Sequence, residues 1–150
     1  MGERIYFDAC CLNRPFDDKS IVRNRLEAEA FLVIMEKAKN GELIFIASEV
    51  LLLEIFRTKS EEKRKKVFSF MTHAAEMIEI NDDIVKDARR ILTLDIGPLD
   101  ALHIACARHG RADVLLTTDD KFLKKGQKNQ EELEILIDNP LDWIRNVGRR

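Results

Sequence analysis

The chain has 150 residues, a length that fits one ordinary domain and leaves little room for a second. At 45% hydrophobic it can bury a real core, and at 35% charged its surface should be strongly ionic. The net charge of −2 excludes a global electrostatic case for nucleic-acid binding, so any such case must come from local clusters.

Residues 4–8 read as a short apolar strand that ends at a carboxylate, Asp8. A turn-rich stretch follows over residues 13–18. Residues from about 20 to 39 have helical periodicity, with Leu26, Ala30, Val33, Ile34 and Ala38 on one face. Asn40-Gly41 stops that helix as a left-handed cap does. A second buried strand covers residues 43–47, and Ser48 can cap a helix running to about Arg57. Residues 59–73 predict another helix, residues 77–80 a short strand, and residues 82–92 a further helix. Gly97-Pro98 then introduces a well-marked helix over residues 99–109, which Gly110 ends. Residues 114–117 form a third apolar strand and residues 119–125 a short helix. A last strand is expected over residues 134–137 and a closing helix over residues 140–147. Strands separated by helices imply βαβ units and a mostly parallel sheet between two helical layers, a single α/β domain over residues 1–150. In such sheets the ligand site lies beyond the carboxyl ends of the strands.

Cys10, Cys11 and Cys106 are odd in number, and adjacent cysteines bridge awkwardly, so all three are expected as reduced thiols in a cytoplasmic protein. His103, Cys106 and His109 recur every three residues, which raises the question of zinc. On a helix, however, His103 and His109 lie roughly 120° apart, and the spacing matches no closed zinc motif, so ordinary helix residues are the expectation. No apolar stretch approaches the ~20 residues that a membrane span needs. The amino terminus lacks a signal-peptide pattern, and Tyr6 stands where a myristoylation motif needs Ser or Thr.

Four carboxylates occupy positions where the inferred sheet would gather them. Asp8 ends the first strand, and by itself could be a turn former. Glu54 lies in the apolar run Val50-Leu51-Leu52-Leu53-Glu54-Ile55-Phe56, where burial requires a partner, a proton or a metal. Its bland partners would be Arg57 or Thr58. Glu49, ~140° away around the helix, is already explained by the helix start. Asp100 could merely complement a helix dipole, and Asp119 could merely cap the next helix. Together, four acids at one sheet edge make a negative pocket. At ~4 Å and an effective dielectric of about 20, each like-charge pair costs about 4 kcal/mol, so the cluster must take up protons or hold cations. Hard oxygen ligands suit Mg²⁺ or Mn²⁺, which can polarise a phosphodiester and activate water.

These blocks resemble the PIN-domain family, including the toxins of VapBC-type systems. The matching text is Ile5-Tyr6-Phe7-Asp8-Ala9, then Ser48 through Glu54-Ile55, then Leu99-Asp100-Ala101-Leu102-His103-Ile104-Ala105, then Leu115-Leu116-Thr117-Thr118-Asp119-Asp120-Lys121-Phe122. The resemblance implies a PIN-like three-layer α/β/α sandwich and a metal-dependent endoribonuclease, the toxin of a toxin–antitoxin pair. It assigns Asp8, Glu54, Asp100 and Asp119 to the acidic site, with Asp8, Asp100 and Asp119 on the principal Mg²⁺ or Mn²⁺ and Glu54 on a second ion or the attacking water. Thr117 matches a supporting hydroxyl, and Asp120 is a neighbouring acid able to assist. RNA is the implied substrate, and an antitoxin protein and a second copy of the chain are the implied partners. Arg14, Lys121 and Lys124 are candidate phosphate contacts, although lysines there also suit a solvated helix face. The alternative is a non-catalytic PIN-like scaffold that binds RNA or organises an assembly. Aspartyl and cysteine phosphatases fail on spacing, since Cys10 stands two residues after Asp8, and Phe16 and Asp17 stand where the cysteine enzymes need Arg.

Overall fold

Short β-branched and aromatic runs bounded by polar punctuation become strands here, and the longer amphipathic runs between them become helices. The computed structural model describes residues 2–147. The strands are β1 (Arg4–Phe7), β2 (Ile44–Ser48), β3 (Glu76–Ile78), β4 (Val114–Leu116) and β5 (Leu136–Asp138). The helices are α1 (Ala9–Asn13), α2 (Val22–Lys39), α3 (Glu49–Phe56), α4 (Glu61–Met71), α5 (Asp82–Leu92), α6 (Pro98–His109), α7 (Asp120–Lys128), α8 (Gln130–Leu133) and α9 (Pro140–Val147), with a 3-10 turn over Arg14–Phe16.

Every strand pairing among the described residues is parallel, in the order β3-β2-β1-β4-β5. Successive side chains on a strand point to opposite faces. Ile5 and Phe7 therefore enter one core with Phe31, Leu51 and Trp143, while Tyr6 enters the other with Ile84, Ile104 and Phe122. The sheet is thus the middle of three layers, as the sequence predicts. The chain builds outward from β1 to β2 and β3, then crosses back to place β4 on the other side of β1. That reversal opens a crevice at the carboxyl ends of β1 and β4, where α/β sheets bind ligands. Among the described residues no helix is long and apolar enough to cross a membrane.

Several elements differ from their sequence reading. The helix α1 is capped by Asp8, and its five residues are too few for a periodic signal. α2 begins at Val22 because the Ser20 hydroxyl bonds Asp18 rather than capping the helix. Its buried face carries Glu27, Ala30, Phe31, Ile34 and Met35, whereas Leu26 and Val33 are exposed. A charged residue on the core side rotates the true stripe away from the one that hydrophobicity alone suggests. α3 is likewise not buried all round, since Leu53 and Phe56 face solvent. The short α8 was not expected, and the left-handed Glu134 (φ 55°) that ends it delays β5 to Leu136.

Candidate active site

Register brings the first elements of the site together. Phe7 pairs with Leu116, so the next residues, Asp8 and Thr117, become neighbours just beyond the sheet edge. The Asp8 amide donates to the Leu116 carbonyl at 3.1 Å, and the Thr117 amide to the Asp138 carbonyl at 3.0 Å, which prolongs the ladder to both residues. The Thr117 hydroxyl donates to Asp8 Oδ2 at 2.5 Å, and the Cys11 amide to Oδ1 at 3.1 Å. Asp8 is 3% exposed, and its carboxyl is pushed up from 3.8 to about 6. Burial is the largest cause and the charge of Asp100 adds to it. Thr117, His103 and the Cys11 amide pull the other way.

Asp119 is held by its own helix start. Its Oδ1 accepts the amides of Lys121 and Phe122 at 3.0 and 3.3 Å, while its own amide donates to Thr117 Oγ1 at 3.0 Å. Asp100 occupies the first turn of α6, whose amino end lies at the carboxyl edge because the helix runs antiparallel to the β4 it precedes. Half-buried, it is raised first by burial and then by the charges of Asp119 and Glu54, which His103 opposes. Asp100 thus feels the charges of Asp119 and Glu54, and Asp8 that of Asp100, so Asp100 links the acids into one negative field. The Cys10 thiol lies in that field as well. Burial comes first in raising it, followed by Asp8, Asp119, Glu54 and Asp100.

Glu54 and Asp119 line an open cleft of about 380 Å³ with Ala9, Cys10, Asn13, Arg14, Asp17 and Thr118. A slightly larger hollow of about 450 Å³, at Lys86, Asp87, Arg90, Arg108 and His109, lies away from these acids and holds no comparable carboxylate group. Glu54 meets neither Arg57 nor Thr58 through its side chain. It bonds His103 Nε2 instead, and His103 Nδ1 lies 2.6 Å from the Tyr6 hydroxyl. Burial drives the Tyr6 phenol well above its ordinary range. Glu49 has turned away to accept the Ile80 amide at 2.6 Å.

The remaining candidates have separate environments. Asp120 is exposed and accepts both terminal nitrogens of Arg23 at 2.5 Å, so its carboxyl is lowered, first by that hydrogen bond. Arg14 lines the cleft but is already engaged, by Asp17 at 3.0 Å, by the Thr118 carbonyl at 3.3 Å and by Glu27. Its Nε stands 3.1 Å from Glu27 Oε1, an ion pair off the hydrogen-bond axis. Glu27 is 1% exposed and also binds Arg23 and Asn139, making it a buried hub that ties α2 to the 3-10 turn at Arg14 and to the end of β5. Lys121 and Lys124 stand exposed on α7, and it is Lys125 whose charge reaches Asp100.

Two residues escaped the sequence reading. Glu27 carries no mark in the sequence that sets it apart from the other acids of its helix. His103 was weighed only with Cys106 and His109, which lie elsewhere: Cys106 is buried beside Ser48, and His109 is 3.8 Å from Asp87. The usable signal was its position three residues after Asp100, on the same helix face.

Asp8, Asp100, Asp119 and Glu54 supply only oxygen donors, the set that suits a hard divalent cation. Among the described residues no three His, Cys, Asp or Glu side chains close into a metal cage. Mg²⁺ keeps several waters and takes one or two carboxylates, so an open acidic cleft fits it better than a closed cage would. Thr118 Oγ1, buried in the cleft wall without a hydrogen-bond partner, adds a polar orphan that a bound water or substrate oxygen would satisfy.

Comparison with known proteins agrees with this architecture. VapBC2 from Rickettsia felis, solved bound to a DNA fragment from its promoter, superposes with a TM-score of 0.60 at 17% identity, covering 91% of this chain and 98% of that one. PAE2754 from Pyrobaculum aerophilum superposes with a TM-score of 0.57 at 14% identity, covering 99% of both chains. At such identities the likeness is one of fold. No curated protein sequence matches the chain. A family model for the PIN domain matches residues 5–128, and with the parallel sheet and its acidic crevice this places the chain in the PIN-domain family, whose members are in general nucleases.

Proposed function

We propose that the chain is a divalent-metal-dependent endoribonuclease that hydrolyses RNA phosphodiester bonds, acting as the toxin of a toxin–antitoxin pair. The observation that carries the reading is Asp8, a fully enclosed carboxylate raised to about 6 beside three further acids at the strand switch point. Burial makes the ionised form of this carboxylate costly despite its hydrogen-bond donors, and a bound cation would relieve that cost.

Asp8, Asp100 and Asp119 would hold Mg²⁺ or Mn²⁺. When bound, such an ion supplies a Lewis acid for the phosphodiester and lowers the pKa of water. Thr117 and the Cys11 amide each engage one oxygen of the Asp8 carboxylate, and each oxygen keeps a further lone pair for a cation. The amides of Lys121 and Phe122 engage Asp119 Oδ1. Glu54 orients the attacking water and receives its proton. Arg14 at the rim and Lys121 and Lys124 on α7 contact backbone phosphates, with Asp120 holding Arg23 across the loop that carries Asp119. VapBC2 is a complex, and an antitoxin segment laid over the acidic cleft is the corresponding partner here, with a second copy of the chain as a further one.

The test is cleavage of a mixed RNA panel by the purified chain with Mg²⁺ or Mn²⁺, beside EDTA and Asp8→Asn/Asp100→Asn. Cleavage that needs both the metal and the acids supports the nuclease. Undiminished cleavage by the double variant would refute the assignment of the activity to these acids, and no cleavage by the unaltered chain together with no Mn²⁺ uptake in calorimetry would turn the reading to a scaffold.

A further inference from the structure

A line of buried polar side chains runs through the core behind the cleft and ends on Glu54. Ser48, Tyr6 and His103 are each at most 1% exposed. Tyr6 Oη lies 2.6 Å from Ser48 Oγ and 2.6 Å from His103 Nδ1, and His103 Nε2 bonds Glu54 Oε1. The direction of each bond follows from its ends. An ionised carboxylate only accepts, so His103 Nε2–H donates to Glu54. That donation holds in either form of the ring: a neutral imidazole with its proton on Nε2 keeps Nδ1 as an acceptor for the Tyr6 hydroxyl, which then accepts from Ser48, whereas an imidazolium donates from both nitrogens. Ser48 Oγ in turn accepts the Leu51 amide at 3.2 Å, at the start of α3. The line leaves the amino end of α3 and returns to Glu54 in the same helix.

We propose that His103 is a positioning residue that locks Glu54 through one oxygen, leaving Oε2 for the attacking water; the inference rests on the nuclease reading above. Glu54 is 23% exposed, and a partly solvated glutamate has rotamer freedom that one fixed donor removes. The donor itself cannot turn. Both ring nitrogens of His103 are engaged, and its ring meets that of Tyr6 edge-on, with centroids 5.6 Å apart. Oε2 has no partner among the described residues, so the lock leaves half the carboxylate unengaged. Bonds aligned head to tail polarise one another, which strengthens the last one in the line.

Two readouts test this. The first uses the metal-free chain in EDTA, with ¹⁵N-labelled histidine and long-range ¹H–¹⁵N spectra, the His103 signals being assigned with His103→Gln. An Nε2–H tautomer is expected, with a slowly exchanging proton that becomes fast in Glu54→Ala. An Nδ1–H tautomer, or an Nε2 proton equally fast in both proteins, overturns the proposal. The second readout is RNA cleavage at saturating Mn²⁺. His103→Ala should lower kcat about 10- to 100-fold with KM unchanged, as loss of an orienting partner does. His103→Gln retains an amide donor and should recover most of that loss, while His103→Ala should add little to Glu54→Ala. Equal losses for Ala and Gln, or fully additive losses with Glu54→Ala, would mean that His103 serves only the core. If the unaltered chain cuts no RNA, the nuclease reading fails, and the tautomer still decides whether His103 holds Glu54.

Discussion

Replacing Asp8 with Asn removes one buried negative charge and leaves the shape of the side chain almost unchanged. In the metal-free chain that charge is a burden, because the folded protein raises the carboxyl from 3.8 to about 6, chiefly through burial. The folded state therefore holds the proton more tightly than the unfolded one. Its contribution to stability is fully present below pH 3.8 and is lost as pH rises through about 6. At about 1.36 kcal/mol per pH unit, the loss is about 3 kcal/mol once Asp8 is ionised. Asp8→Asn cannot ionise and escapes it. Urea unfolding in EDTA should show the variant gaining on the unaltered chain between pH 4 and pH 8, by up to about 3 kcal/mol. Mn²⁺ at pH 8 should then narrow or reverse the gap by stabilising only the protein that keeps the carboxylate. A stability difference constant with pH to within about 0.5 kcal/mol would refute the argument, since it would mean that Asp8 titrates alike in both states.

Three further perturbations probe the frame around the cleft. Glu27→Ala removes the buried partner of Arg14, Arg23 and Asn139, and should cost roughly 2–4 kcal/mol in urea unfolding, somewhat less than a fully enclosed pair because Arg23 is partly exposed. Gly126→Ala would place a methyl 2.6 Å from Ile137 Cδ1 and 3.1 Å from its Cγ2, so thermal unfolding should show a loss of about 1–2 kcal/mol despite the better helix propensity of alanine. The Cys10 thiol, raised first by burial and then by four carboxylates, should react slowly with iodoacetamide at pH 8, and Mn²⁺ should speed the reaction by neutralising those acids. A rate unaffected by Mn²⁺ would place the ion elsewhere.

Much of this protein was legible before any coordinates. The alternation of short apolar runs with amphipathic ones expresses a local requirement, since period 2 and period 3.6 are imposed by backbone geometry whatever the neighbours. Caps are local too, which is why Ser48, Pro98 and Gly110 mark their helices correctly. The acids at strand ends and helix starts could be placed along one edge because parallel βαβ units send every strand the same way.

What the chain does with those acids depended on the tertiary structure. Asp119 caps α7, as its local reading had it, and Asp8 caps α1 where a turn former was the local expectation. The sheet order placed β4 beside β1, and only that adjacency put the Thr117 hydroxyl on Asp8 and buried the carboxyl, the burial raising it against the pull of that hydrogen bond. His103 passed as an ordinary helix residue and Glu27 drew no reading, because burial and hydrogen-bond partners come from segments distant in the chain. Glu27 meets Asn139, and His103 meets Tyr6 and Glu54. Periodicity reports what each residue asks of its own element. The charge state and orientation of a side chain are set by what the fold packs against it, and a single sequence carries no local signal for that.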